Sequence, residues 1–566
     1  MRIQSSISAD VWNSTGWLLP ALGMSILTIA TVLVEKSVKN AWILQDIAPA
    51  FVAFCVLLGV GFTLGRPRLS EASAAIAVGL LAVIPSLQYG FVYGEFDSLG
   101  HYSTASEILR TGSLGQSGMY AEQYSGTPIL HILLAETGLT LGIPIETAIV
   151  CILFLEHFVV FVLIVESIRR MLPQMKMRTI IFLSAVTLPV IFLLTGTTFG
   201  LLEVAMLTYV FSTGMGRESK ARILLTIVLM FSLVFSHFVT TVYFMTFLGG
   251  YTVFLVVVRP IARSKGATRN SLLESVPFFF TFFLLWLVYV GDEFIFATLD
   301  LSYSLFLGSS LPSAAGGFSL IDLVQVFVFK YARLLFSVLL AVTTSSIALL
   351  RYRRTEAFYV FWWLLASSLL IGGVVALGFR AETGWRFLAY ASLTTPYFLC
   401  FFISRLRNGL LVSNARIRVA KVMMLAVLVL SMIAVYPITP LYPESGGSPI
   451  LDDNSVNSIY AVSALEHFSH AYSSGRVITS ARIYWQLLSV APELIPLRNM
   501  ISGDLESVAS PAELEGQLVL FDAGERSGTA TIAMRALTPQ LRDTPHLDIV
   551  YSNSLFFIGL ATRSNQ

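Results

Sequence analysis

The ten residues Tyr93-Gly-Glu-Phe-Asp-Ser-Leu-Gly-His-Tyr102 carry the side chains of this chain best suited to chemistry. Glu95 and Asp97 are carboxylates and His101 is an imidazole, set where an apolar run gives way to a polar one. If that stretch is helical, the four-residue spacing of Asp97 and His101 puts both on one face. A carboxylate at a low-dielectric boundary holds its proton more tightly than in water, unless a cation offsets the effect. That suits a general base acting on a hydroxyl. The same three residues, Asp97, Glu95 and His101, offer oxygen and nitrogen ligands to a divalent metal such as Mg or Mn, and the sequence leaves the metal open. Crossing a bilayer requires none of them. Tyr102, Tyr120, Glu122 and Tyr124 follow, with Ser-Gly-Thr-Pro128 after them. Such types contact sugars, and tyrosine also forms belts at membrane surfaces. His131 and Glu136 are five apart and read as packing against this loop.

The elements that must position these groups are membrane helices. Of 566 residues, 55% are hydrophobic and only 12% charged, and mean hydropathy is +0.76. A soluble domain carries roughly 25% charged residues. Half that value, with continuous rather than alternating apolar runs, describes a multi-span α-helical membrane protein. A formal net charge of +2 gives no reason to expect a nucleic-acid partner. Cys55, Cys151 and Cys400 lie far apart in apolar runs and read as buried free thiols.

About thirteen spans are expected, near 16–34, 44–64, 73–92, 145–168, 179–196, 200–215, 222–236, 238–258, 275–297, 332–350, 357–379, 386–404 and 419–436. The stretch 128–143 is left as a partial helix, because counting it as a span moves the basic clusters outside. With the N-terminus cytoplasmic, inside loops collect Arg169, Arg170, Lys176 and Arg178, then Arg351, Arg353 and Arg354, as the positive-inside rule demands. The loop 93–127 and the segment 298–331 then face outside. Residues 1–436 form the membrane domain and 437–566 an extracytoplasmic domain. The latter opens with a turn-rich linker, followed by a helix near 456–472. Strands are expected at 476–479, 517–521, 546–551 and 555–561, making a small α/β fold. Acids inside apolar runs, Asp46, Glu156, Glu166 and Glu203, are costly and point to function. Glu203, near the outer end of a short span, can reach a site there, and Glu156 beside His157 reads as a mutually satisfied pair.

Glu-Phe-Asp97-Ser-Leu-Gly-His101-Tyr resembles the first outside loop of GT-C glycosyltransferases. More narrowly, it resembles archaeal and bacterial proteins related to protein mannosyltransferases and lipid-linked sugar transferases. Met119-Tyr-Ala-Glu-Gln-Tyr-Ser-Gly-Thr-Pro-Ile-Leu-His131 is similar to the stretch that follows there. Phe235-Ser-His237-Phe-Val-Thr-Thr241, Trp385-Arg386-Phe-Leu-Ala-Tyr-Ala391 and Tyr551-Ser-Asn-Ser-Leu-Phe-Phe-Ile558 resemble later segments. A Trp-Trp-Asp-Tyr-Gly signature is absent, which argues against en bloc transfer of an oligosaccharide to asparagine.

The resemblance implies a polyprenyl- or dolichyl-phosphate sugar as donor and a glycan, lipid or protein as acceptor, meeting at the outer face of the cell membrane. It implies Asp97 as base, inversion, and a cation on the departing phosphate. Arg386, at the outside end of a span, is the best cation and Arg380 the second; snorkelling beside Trp385 is the structural alternative. His237 lies between two apolar runs at the same surface, as site residue or interfacial histidine. A transporter, a lipid-linked glycan flippase or a polymerase shares the span count. The first two more often show internal repeats, and a polymerase an arginine-rich outside loop. Neither is seen.

Overall fold

The computed structural model describes residues 67–89, 96–113, 126–189, 191, 194–213, 220–253, 271–290, 337–346, 356–378, 385–409, 477–479, 501–502, 518–522, 547–552 and 556–561. The expected spans 16–34, 44–64 and 419–436, the segment 298–331 and the helix 456–472 lie outside the described residues.

The described helices are α1 (Pro67–Tyr89), α2 (Phe96–Thr111), α3 (Ile129–Leu141), α4 (Ile145–Met171), α5 (Met177–Thr187) and α6 (Gly196–Thr213). They continue with α7 (Lys220–Ser236), α8 (Phe238–Val253), α9 (Ser271–Tyr289), α10 (Glu356–Gly378), α11 (Trp385–Ser392) and α12 (Thr395–Gly409). A short apolar helix, Ser337–Ser346, lies between α9 and α10 in sequence.

Helix α4 is the hub, with α1, α3, α5 and α6 packed on it. Its 27 residues carry Glu146 in the first turn and Arg169 and Arg170 in the last, each favourable to the helix dipole. Glu166 pairs with both arginines, at 2.5 and 2.7 Å. Gly79 of α1 lets the α4 surface come close, since a Cβ there would fall 2.8 Å from the Phe154 ring. Short α3 ends on Gly142, whose φ of 63° is the left-handed cap that glycine adopts without strain.

Two described helical stretches are long and apolar enough to cross a membrane by themselves, Ile145–Met171 and Arg386–Ser404. Among the described residues, the other apolar helical stretches with described side chains are shorter, 10–17 residues each. The run expected at 179–196 stops at Thr187, because Leu188 precedes Pro189 and a residue before proline avoids the helical region. The stretch 386–404 keeps its expected length and carries a turn at Leu393 and Thr394, where the Thr394 hydroxyl donates to the Ala391 carbonyl at 2.6 Å. Helix α3, with 13 residues, is about 20 Å long and falls short of the roughly 30 Å hydrocarbon layer.

The outside of the bundle is apolar. Leu224, Leu225, Val228 and Phe231 are exposed along α7, and Phe278, Leu284, Leu285 and Val288 along α9. Contiguous outward stripes of this kind are what a bilayer covers. Inside, Phe211, Phe244 and Phe247 pack together, and Phe361 stacks on Tyr397 at 4.2 Å.

Near the C-terminal end, five strands form one mixed sheet in the order β2-β1-β3-β5-β4. They are β1 (Val477–Thr479), β2 (Ile501–Ser502), β3 (Leu518–Asp522), β4 (Leu547–Ser552) and β5 (Phe556–Ala561). Strand β1 runs parallel to β2 and β3, whereas β5 is antiparallel to β3 and β4. Four of the five fall within two residues of stretches whose β-branched and aromatic content marks them as strands. A register shift between Ile549 and Tyr551 interrupts the β4–β5 ladder.

Candidate functional site

Helix α2 does place Asp97 in its first turn and His101 one turn on, so the two share a face. The side chain of Asp97 is outside the described set, as are Glu95, Tyr120, Glu122, Tyr124 and Arg380. His101 is 1% exposed. Its Nδ1 meets Nε2 of His131 at 2.8 Å, with ring centroids 5.0 Å apart. One of the two nitrogens must carry the proton of that bond and the other accept it. His131, on α3, is fully buried and therefore holds the His101 ring in one orientation. His131 thus packs against the 93–127 loop as expected, and the contact is a hydrogen bond between two imidazoles. The signal for that bond was its chemistry, a second histidine 30 residues from the first.

Burial pushes the His101 pKa down to about 3, and His237 and then Arg386 push in the same direction. His131 is held well below the ordinary histidine range by burial and then by His101. Both rings are therefore neutral at pH 7 and present dipoles rather than charge. Tyr102 is half-buried and donates to Glu146 Oε1 at 3.4 Å, a contact to the start of α4.

The electrostatic neighbours of His101 bring two remote residues to the same place, His237 and Arg386. His237 stands at the break between α7 and α8. The Leu233 carbonyl there accepts from the Thr241 hydroxyl at 2.8 Å, as well as from the His237 amide at 3.3 Å. An inserted hydroxyl of this kind interrupts a helical ladder. His237 Nδ1 lies 2.7 Å from Thr240 Oγ1, which lies 2.5 Å from the Tyr390 hydroxyl. Tyr390 is four residues past Arg386 on α11, and its ring stacks on Tyr243 at 4.7 Å and 8°. Arg386 is within electrostatic range of His237 and Tyr390 as well as His101.

Helix α6 closes the floor with two glycines. A Cβ at Gly196 would fall 2.5 Å from the His237 ring, and one at Gly200 would strike Thr240. Glu203, on the same helix, accepts from Ser232 at 2.6 Å and Ser236 at 2.7 Å. It lies within electrostatic range of Tyr390 and Glu156. Glu156 does not pair with His157. The His157 Nδ1 donates to the Leu153 carbonyl at 2.9 Å and its Nε2 accepts from the Ile191 amide at 3.0 Å, which assigns it to holding the chain after Pro189.

The arrangement suits an anion. One guanidinium, neutral imidazoles and hydroxyls converge, and the cluster includes residues from α2, α6, α8 and α11. Among the described residues, no three His, Cys, Asp or Glu side chains come together to hold a metal. His101 has one ring nitrogen turned to His131, and a cation is its neighbour. The side chains of Asp97 and Glu95, which with His101 are the ligands a divalent metal would need here, lie outside the described residues.

No protein-family model and no curated relative matches the chain. It is similar to the solved structure of the Archaeoglobus fulgidus oligosaccharyltransferase in the apo form, at 12% identity and a TM-score of 0.48, covering 80% of this chain and 69% of that one. That enzyme in complex with Zn and sulfate gives 12% identity and a TM-score of 0.46, over 77% of this chain and 62% of that one. ArnT from Cupriavidus metallidurans bound to undecaprenyl phosphate gives 10% identity and a TM-score of 0.47, over 88% of this chain and 98% of that one. Both proteins are GT-C glycosyltransferases. At these scores the likeness gives no residue-level correspondence.

Proposed function

We propose that this chain is a membrane glycosyltransferase. It moves a sugar from a polyprenyl- or dolichyl-phosphate donor to an acceptor at the outer face of the membrane. The observation that carries the reading is that Arg386, from a third stretch of sequence, lies within electrostatic range of the buried imidazoles of His101 and His237. Guanidinium matches phosphate geometry, and neutral imidazoles add hydrogen-bonding capacity without the repulsion a second full charge would bring.

In the proposed reaction Asp97 takes the proton of an acceptor hydroxyl. The hydroxyl oxygen attacks the anomeric carbon from the face opposite the phosphate, giving inversion. The carbon–oxygen bond to phosphate breaks, and its electron pair leaves on the lipid phosphate. The phosphodiester donor carries one negative charge and the departing monoester approaches two. A fixed cation is therefore worth more in the transition state than in the ground state. The leaving group is already a good anion, so no second carboxylic acid is required, unlike in glycoside hydrolysis. No step is routed through a metal.

The division of labour is part of the proposal: a membrane domain 1–436 with the catalytic loop 93–127, and an extracytoplasmic domain 437–566 beside the acceptor. Arg380, Tyr120, Glu122 and Tyr124 are proposed as further contacts to donor or acceptor, with Glu95 assisting Asp97. Binding of polyprenyl phosphate to purified protein, followed by native mass spectrometry, tests the phosphate site without turnover. Wild type should retain the lipid and Arg386→Gln should lose it. Equal retention by both removes Arg386 from phosphate recognition.

A further inference from the structure

We propose that Tyr390 is a positioning residue. Through Thr240 it holds His237 in the tautomer whose Nε2 carries the proton, while its own helix carries Arg386 one turn away. The functional consequence rests on the phosphate-site reading above; the tautomer does not.

The hydrogen-bond directions follow from counting protons. The Thr240 amide N–H points at His237 Nδ1 at 3.4 Å, so that nitrogen presents its lone pair. The Thr240 hydroxyl lies 2.7 Å from the same nitrogen, and its one proton goes there. The Thr240 oxygen is then left as an acceptor toward Tyr390. The Tyr390 O–H supplies the proton across 2.5 Å, with the Thr197 carbonyl as a more distant acceptor at 3.5 Å. The chain runs Tyr390 to Thr240 to Nδ1 and leaves the imidazole proton on Nε2. His237 is thereby a fixed donor, the role an anionic phosphate oxygen requires.

The geometry is held from three sides. Tyr390 is 1% exposed and stacked on the Tyr243 ring. Tyr243 in turn donates to the Leu364 carbonyl of α10 at 3.2 Å. The two α6 glycines admit the His237 ring and the Thr240 side chain, and any Cβ would displace them. Arg386 and Tyr390 are four apart on an eight-residue helix and so lie on one face of it. The helix that carries Arg386 thus also carries the hydroxyl from which the relay to the imidazole starts.

The test uses full-length protein, labelled with nitrogen-15 histidine, in lipid bilayers. The His237 signals are assigned by their loss in His237→Gln. Tyr390→Phe keeps the stacked ring and removes only the hydroxyl. Thr240→Val removes the relay and keeps the shape, and Thr240→Ser keeps the relay. The proposal expects the Nε2–H form in wild type and Thr240→Ser, and loss of that single form in Thr240→Val and Tyr390→Phe. With a polyprenyl-phosphate sugar, the latter two should raise KM about tenfold, the scale of one hydrogen bond, with kcat changed far less. An Nδ1–H wild type, or a tautomer unmoved in Thr240→Val, overturns the proposal. A lost tautomer with unmoved KM overturns the positioning role. Absence of sugar transfer by wild type counts against the transferase reading, and the nitrogen-15 signals still decide the tautomer.

Discussion

Replacing Gly200 by alanine should destabilise this protein, although helix propensity alone favours the change. In an exposed helix interior, alanine is better than glycine by about 1 kcal/mol. At Gly200 the new methyl carbon would fall 2.8 Å from Thr240 Cγ2 and 2.9 Å from its Cβ, closer than real contacts come. Thr240 cannot rotate away freely, because its hydroxyl bonds both His237 and Tyr390. Overpacking of this kind costs about 1–3 kcal/mol. Loss of the two hydrogen bonds adds about 1 kcal/mol each. After the gain in propensity, a net loss of about 2–4 kcal/mol remains. Gly373 is the control, since a Cβ there meets nothing within 4 Å, and Gly373→Ala should stabilise by about 0.5–1 kcal/mol. Thermal unfolding of both variants in one detergent, read by fluorescence-detected gel filtration, gives the comparison. A Gly200→Ala variant as stable as Gly373→Ala would refute the close approach of α6 to the His237–Thr240 turn.

Acid should weaken the fold through His101. Its pKa is about 3 when folded against an ordinary 6.5, so below pH 6.5 the unfolded chain binds a proton that the folded one refuses. Stability then falls as pH drops from 6.5 toward 3, by about 2 kcal/mol at pH 5, and His101→Gln should lose stability less steeply in the same melts. Trp286→Phe removes the indole donor to the Gly126 carbonyl, made at 3.0 Å, and should cost about 1 kcal/mol while loosening the start of α3, measured as faster amide exchange near Thr127. Arg386→Lys keeps the charge and loses the fork, so donor KM should rise about tenfold, while Arg386→Gln should also lower kcat, by about 100-fold.

The sequence made the helices legible wherever one apolar run met a polar break. The ends of α4, α7 and α10 fall within three residues of the expected spans. It hid the interruptions, because hydropathy does not register Pro189 or the competition of Thr394 and Thr241 hydroxyls for helix carbonyls. The strands at the C-terminal end were legible from composition, but their order was not, since pairing is set by contacts distant in sequence. At the site, His101, His237 and Arg386 stood out by chemical type. Tyr390 and Thr240 did not, because a tyrosine among 21 and a threonine in an apolar run carry no spacing signal. Only the fold, which brings residue 390 to residue 240, makes them visible.

The most direct test of the transferase reading is turnover. Wild type and Asp97→Asn, reconstituted in vesicles, receive a panel of polyprenyl-phosphate sugars with a membrane extract as acceptor, and released lipid phosphate is measured. The account predicts sugar-dependent release by wild type and its loss in Asp97→Asn with the fold intact. Equal release by both removes Asp97 as base, and no release with any donor contradicts the transferase itself.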